Sequence, residues 1–361
     1  MKRFLPTIPP EELKSWLAEA GQPAFRLAQI RRWIFQPGIR TFDAMKNLPK
    51  ALRQRLDDAF CLRTITVRLT SGQSDDAAEK FLLELTDGNT VECVLLHNEL
   101  GEHTLCASTQ VGCAMGCVFC ASGLGGVVRN LTADEILEQF LLAADHLPNA
   151  ERLSHAVIMG MGEPTRNLDA LLQALEIVTS PEGLNLGARR ITISTVGIPQ
   201  GIERLAASCG HPYHLAVSLH APNDEIRSQI VPTNRQIGIA KILQAAETFF
   251  QQTGRRVTFE YILIDGVNDQ PQHARELANR LRGMNALVNL IPYNPVRELS
   301  YRTPPAKRVE TFARTLEKLG VSCTLRHRKG DDINAACGQL RREYKSDAAE
   351  RDRLPPIVEG E

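Results

Sequence analysis

The sequence predicts an α/β protein: a partial (β/α)6 barrel preceded by a small helical domain and a short antiparallel sheet. Three observations carry this. Through the first sixty residues apolar side chains recur at helical spacing. From residue 64 to 96 they alternate with period two, as in half-buried strands. Beyond residue 100, β-rich runs take turns with amphipathic stretches, the pattern of a parallel βα array.

In order, residues 11–20 place Leu13, Trp16, Leu17 and Ala20 on one helix face. Pro23 and Pro37 punctuate the region, and residues 48–60 form another amphipathic segment, so 1–62 reads as a helical accessory domain. The alternation that follows, with an Asp87-Gly88 turn before Val91-Glu92-Cys93-Val94, predicts an antiparallel extension over 63–100. Strands are then expected at 105–109, 155–159, 190–195, 214–219, 257–264 and 286–291, with helices at 133–147, 167–179, 239–252 and 270–282. Six strand–helix units are too few for an eight-stranded barrel, so the domain at 101–340 should be open. Residues 341–361, charged and Pro-containing, read as a flexible tail.

Among the 361 residues, 43% are hydrophobic and 23% charged, with no apolar run long enough to span a membrane. The N-terminus lacks a secretory apolar run, so the expected compartment is cytoplasmic. Charge balances at 42 basic against 42 acidic residues, yet residues 1–64 hold 12 Lys/Arg against 6 Asp/Glu, including Arg31-Arg32. That excess suits a phosphate-binding face or, equally, solvated helix faces. Nine cysteines, one tight group plus singles, favour metal ligands or reactive thiols over a disulfide framework.

The tight group is Cys113-Ala-Met-Gly-Cys117-Val-Phe-Cys120, directly after the first strand of the array. Three thiolates on a short loop can each bind one iron of a cubane, leaving the fourth iron open. A structural zinc site normally closes four ligands, and no second close pair of cysteines exists here, but three thiolates alone leave zinc as the alternative.

The CxxxCxxC spacing, with an aromatic before its last cysteine, resembles the radical S-adenosylmethionine (SAM) superfamily, and Met161-Gly162-Glu163-Pro164 resembles its motif for the methionine amino group. Further segments narrow the likeness: Arg129-Asn130-Leu131, Ile193-Ser194-Thr195, Ser218-Leu219-His220-Ala221-Pro222-Asn223, the run 289–295 and the run 330–340. Together with Phe25-Arg26 and Asn47-Leu48-Pro49-Lys50, they resemble the dual-specificity ribosomal RNA adenine-C2 methyltransferase family across nearly the whole chain. Most are shared with the related adenine-C8 resistance methyltransferases.

The resemblance implies a 4Fe–4S cluster on Cys113, Cys117 and Cys120, and two SAM molecules per turnover. One methylates a cysteine and the other yields a 5′-deoxyadenosyl radical. The substrate implied is C2 of an adenine in 23S ribosomal RNA, with a transfer RNA adenine as a second target. An electron-poor carbon without an acidic proton accepts a carbon radical where it would not attack a sulfonium. Cys337 matches the methyl-carrying thiol, Cys106 the thiol that releases the product through a disulfide, and Glu92 the proton acceptor. Cofactor contacts would fall to Gly162, Glu163, Ser194, Ser218, Leu219, His220 and Asn294. The expected partners are the RNA and an external electron donor such as flavodoxin or ferredoxin, with no membrane and a monomeric chain. Cys61, Cys93, Cys209 and Cys323 read as buried small hydrophobes. Two departures stand out: the stretch from Glu92 to Cys106 is about one residue longer than the family pattern, and Ser122-Gly123-Leu124-Gly125-Gly126 replaces a more polar loop. C8 methylation and a non-catalytic iron–sulfur or zinc RNA-binding protein remain the alternatives.

Overall fold

The computed structural model describes residues 2–73, 76–147, 151–208, 213–296, 299–326 and 338–340. Cys337, Cys209 and the expected tail at 341–361 lie outside the described residues.

The N-terminal unit comprises β1 (Arg3–Phe4), α1 (Pro10–Glu19), α2 (Arg26–Ile34), α3 (Lys50–Ala59) and β2 (Phe60–Cys61), with β1 and β2 paired in parallel. Leu13 and Leu17, Ile30 and Ile34, and Leu52 and Leu56 each sit four residues apart on one helix face, and they meet in a core separate from that of the barrel.

Next come β3 (Thr66–Ser71), β4 (Ala78–Glu84), β5 (Thr90–His97) and β6 (His103–Cys106), each antiparallel to its neighbour. The ribbon of β7 (Gln110–Gly112) and β8 (Val127–Asn130) carries the cysteine loop between its strands. From β6 the sheet continues in parallel through β9 (Leu153–Ile158), β10 (Ile191–Thr195), β11 (His214–Ser218), β12 (Val257–Leu263), β13 (Ala286–Pro292) and β14 (Cys323–Leu325). The crossovers are α4 (Ala133–His146), α5 (Leu168–Thr179), α6 (Pro199–Ala207), the group α7 (Asp224–Ile230), α8 (Asn234–Ile237) and α9 (Ile239–Thr253), then α10 (Pro271–Arg280) and α11 (Ala306–Lys318).

The six expected βα units are present, and the parallel strands stand in sequential order, so no crossover reverses direction. Helices therefore collect on one face and the sheet curls over the other. Odd-numbered residues of β4 and β12 face the helices: Phe81 packs against His146 of α4 at 4.6 Å, and Tyr261 against Phe312 of α11 at 5.2 Å. Alternation turns the even-numbered residues to the inner face.

Three features differ from expectation. Strands β1, β2, β7, β8 and β14 and helices α6, α7, α8 and α11 are additional elements. Cys61 and Cys323 are half-buried rather than core, whereas Cys93 is fully buried. The antiparallel strands form one ten-stranded sheet with the barrel strands, because β5 pairs with β6 across residue 100.

Helix α4 opens on a capping box between Thr132 and Glu135, and it anchors the N-terminal unit. Asp145 accepts from the Gly38 N–H at 2.7 Å and from Arg63 at 3.0 Å, and Arg40 lies 3.6 Å away. Two turns earlier, Glu138 accepts from Thr64 N (2.7 Å), Thr64 Oγ1 (2.6 Å) and Ile65 N (3.0 Å). Arg31, part of the basic excess of this unit, lies largely buried in an ion pair with Glu182 at 3.1 Å. No helix among the described residues is long and apolar enough to cross a membrane.

Candidate active site

The cysteine loop covers the C-terminal ends of the parallel strands. Met115 and Phe119 pack with Val196, Ala221, Ile230, Ile262, Ile264 and Tyr293, and Cys113, Cys117 and Cys120 border this apolar cluster. The turn at Gly116 needs positive φ (65°), and Val118 N donates to the Ile230 carbonyl at 3.1 Å, seating the loop on α7. The N–H groups of Met115 and Gly162 address the Cys113 sulfur, whose thiol burial raises to about 11. Burial raises the Cys117 thiol as well, reinforced by the charges of Cys120 and Cys113.

No disulfide joins the described cysteines, and among the described residues no three His, Cys, Asp or Glu side chains converge as a single metal ion requires. A cubane makes a different demand, one iron per thiolate, within a surround that excludes water. Three neighbouring thiols, N–H donors at one sulfur and an apolar floor fit that demand.

Beside the loop, the end of β9 is built by tight backbone packing. A Cβ on Gly162 would lie 2.7 Å from Gln110 Cβ, and one on Gly160 would lie 2.5 Å from Ser108 Oγ, so both positions require glycine. Gln110 Oε1 accepts from Glu163 N at 2.9 Å. The Glu163 carboxylate is fully engaged by protein: one oxygen takes Thr165 N (3.2 Å) and Thr165 Oγ1 (2.6 Å), the other Val196 N (2.7 Å). Burial pushes its carboxyl up, and these donors oppose the shift. Glu163 thus buckles β9 to β10, leaving its backbone rather than its oxygens for a ligand.

Ser194 and Ser218 are half-buried and lie on one face, linked by the register Ser194↔Ala216. Leu219 is buried, and Asn294 is buried just beyond β13. His220 has left-handed backbone (φ 59°), held because its carbonyl accepts from Asn268 Nδ2 at 2.7 Å and its Nδ1 accepts from Ile262 N at 3.0 Å. That contact fixes the tautomer with the proton on Nε2. Its ring packs edge-on against Phe119 at 4.8 Å, and burial lowers its pKa to about 3.

On the inner face Lys80, Glu92, Val94 and Cys106 stand together, with Lys80↔Val94 and Val94↔Cys106 in register. A strand glutamate facing solvent would be commonplace, but Glu92 is only 2% exposed and lies 3.1 Å from the Lys80 ammonium. The register holds across the stretch from Glu92 to Cys106, whose hairpin tip is closed by Asn98: its Oδ1 accepts from Leu100 N and Glu102 N, and Leu100 is 84% exposed.

The described residues that follow Cys337 dock on the cysteine loop. Ala121 N donates to the Gly338 carbonyl at 2.7 Å, Ser122 Oγ to the Leu340 carbonyl at 2.7 Å, and Gln339 Nε2 to the Pro295 carbonyl at 2.9 Å. Sequence reasoning missed Lys80, Gln110 and Thr165, whose roles depend on partners distant in the chain, and Glu260, which accepts from Asn289 at 2.7 Å on the inner face.

The profile of the radical SAM superfamily matches residues 107–278, and that of the ribosomal RNA large subunit methyltransferase N-terminal domain matches residues 5–62. The chain is 55% identical over 332 residues to a probable dual-specificity RNA methyltransferase RlmN of Rhodopirellula baltica, spanning 92% of this chain and 89% of that one. It is 49% identical over 338 residues to a protein of the same description from Symbiobacterium thermophilum, spanning 93% and 91%. The crystal structure of a radical SAM methyltransferase from Sphaerobacter thermophilus has a TM-score of 0.90 and 43% identity, covering 94% of this chain and 100% of that one.

Proposed function

Because the chain belongs to the RlmN family of dual-specificity radical SAM RNA methyltransferases, we propose that it methylates C2 of an adenine in 23S ribosomal RNA, and of an adenine in transfer RNA, through a methylated Cys337. Cys113, Cys117 and Cys120 hold the 4Fe–4S cluster. The backbone of Gly162 and Glu163, with Ser194, Ser218, Leu219, His220 and Asn294, forms the shelf for SAM. When bound, cluster and SAM supply the methyl group and, after one-electron reduction by an external flavodoxin or ferredoxin, the 5′-deoxyadenosyl radical.

The observation that carries the reading is the shared inner face of Glu92 and Cys106, with the residue after Cys337 bonded to the cysteine loop. In the covalent protein–RNA species, Glu92, its carboxylate oriented by Lys80, accepts the proton from the former C2 position, and the one unpaired electron left by radical addition would pass back to the oxidised cluster, so that a closed-shell thioether remains. The Cys106 thiolate then attacks the Cys337 sulfur. The S–S bond forms as the bond from sulfur to the methylene carbon breaks, and the electron pair and a proton pass to the product methyl. His220, neutral and bonded through Nδ1, orients rather than transfers protons.

The test is a denaturing gel after anaerobic turnover on RNA, with nucleoside mass spectrometry of the product. Cys106→Ala should accumulate an RNA-bound protein band that Cys337→Ala never forms. Release of 8-methyladenosine without 2-methyladenosine, or identical behaviour of the two variants, defeats the reading.

A further inference from the structure

Arg227, on α7, is 0% exposed, yet among the described residues it has no carboxylate within salt-bridge distance. Instead Nε donates to the Leu219 carbonyl (2.9 Å), Nη2 to those of Ser218 (3.0 Å) and Val196 (2.5 Å), and Nη1 to Asn234 Oδ1 (2.8 Å). The nearest negative charge on this network is one step removed: Asn234 Nδ2 donates to Asp224 Oδ1 at 2.9 Å, and that oxygen also accepts from Ile239 N at 2.7 Å. Asn223 caps α7 by accepting from Ile226 N, which fixes where Arg227 enters the interior. A buried charge of this kind costs several kcal/mol unless something compensates it.

Two facts locate the compensation. The three carbonyls belong to the ends of β10 and β11, the stretch that contains Ser194, Ser218, Leu219 and His220. On the same helix, Ile230 accepts from Val118 N, next to Cys117, so α7 ties the guanidinium to the cysteine loop. Burial brings the Arg227 pKa down to about 10, where it remains charged at neutral pH, with attraction to Cys117 opposing the shift. A positive charge fixed in a low-dielectric interior stabilises whichever state of a neighbouring redox centre carries the extra electron.

We propose that Arg227 is a positioning residue that aligns the ends of β10 and β11 with the cysteine loop and supplies the fixed positive charge holding the cluster's reduction potential up. This rests on reading Cys113, Cys117 and Cys120 as cluster ligands, and the experiment separates the two. Wild type, Arg227→Lys and Arg227→Met are reconstituted anaerobically, iron is counted, and the reduced-cluster signal is followed by electron paramagnetic resonance in a redox titration. SAM binding is measured by equilibrium dialysis.

Arg227→Met should shift the reduction equilibrium at least tenfold toward the oxidised cluster, about 59 mV for one electron. Arg227→Lys, which keeps the charge but loses the fork, should stay within twofold of wild type in that equilibrium yet bind SAM at least tenfold more weakly. If Arg227→Met does not fold, Arg227→Gln takes its place with the same expected shift. A neutral variant with the wild-type midpoint, or Arg227→Lys shifting as far as Arg227→Met, overturns the proposal. Wild type that takes up no iron would instead defeat the cluster reading itself.

Discussion

Glu92 shows at the residue scale how function and stability are joined. Its carboxylate and the Lys80 ammonium are both buried, so each is the other's compensation. Lys80→Met should cost about 3 kcal/mol in chemical denaturation and lower RNA turnover, because it takes a counter-charge from the buried Glu92 carboxylate. The double variant with Glu92→Gln should regain much of that stability but no activity. The Val-Glu-Cys-Val motif singles out Glu92 by resemblance, whereas nothing local singles out Lys80, since only the β4–β5 register brings it there. His220 gives a pH signature. Its folded pKa of about 3 lies below the ordinary 6.5, so between those values the unfolded chain binds more protons. Its contribution to stability is whole above pH 6.5 and is lost as pH falls toward 3. The fall in urea midpoint from pH 7 to pH 5 should therefore be steeper for wild type than for His220→Gln.

At the scale of elements, α4 is the part with the most duties. Its apolar face packs on the sheet through Ile136, Leu137 and Phe140, while Glu138 and Asp145 catch the linker and loop of the N-terminal unit. Asp145→Ala releases Gly38 and Arg63 together, so the N-terminal unit should lose its fixed angle to the barrel. The expected result is about a tenfold rise in KM for RNA, roughly 1.4 kcal/mol, with SAM cleavage in the absence of RNA unchanged. Equal losses in both assays would mean that the substitution damages the barrel. The core of α4 was readable from the spacing of its apolar residues, but its two carboxylates look like ordinary solvated charges. Elements missed from the sequence share a cause. β14 has three residues, and α6 is short and opens on Pro199. α11 follows Pro304-Pro305 and surrounds Val309, Phe312 and Leu316 with charge, so it reads as a surface loop although its spacing is helical.

For the whole molecule, the N-terminal unit presents Arg32, Lys46 and Lys50 exposed, once Arg31 is committed to Glu182. Replacing all three by Ala should weaken RNA binding and reduce the slope of log affinity against log salt by about 2, near 0.7 per lost phosphate contact. An unchanged slope would assign the RNA contact to another face. The architecture was legible because long alternating runs and amphipathic helices declare their period. That the extension and the barrel share one sheet was not, since no local pattern announces which strand pairs with which. The strand order β3-β4-β5-β6-β9-β10-β11-β12-β13-β14 has a consequence in time. A ribosome releases the chain from its N-terminus, and every strand here can dock on the one that emerged before it. Within that sheet no strand therefore waits for a distant partner, and the sheet grows from one edge like a wall laid course by course. The cysteine loop leaves the ribosome more than two hundred residues ahead of Cys337. On the proposed reading, Cys113, Cys117 and Cys120 would thus be available to iron on an open, half-built barrel before Cys337 has been made.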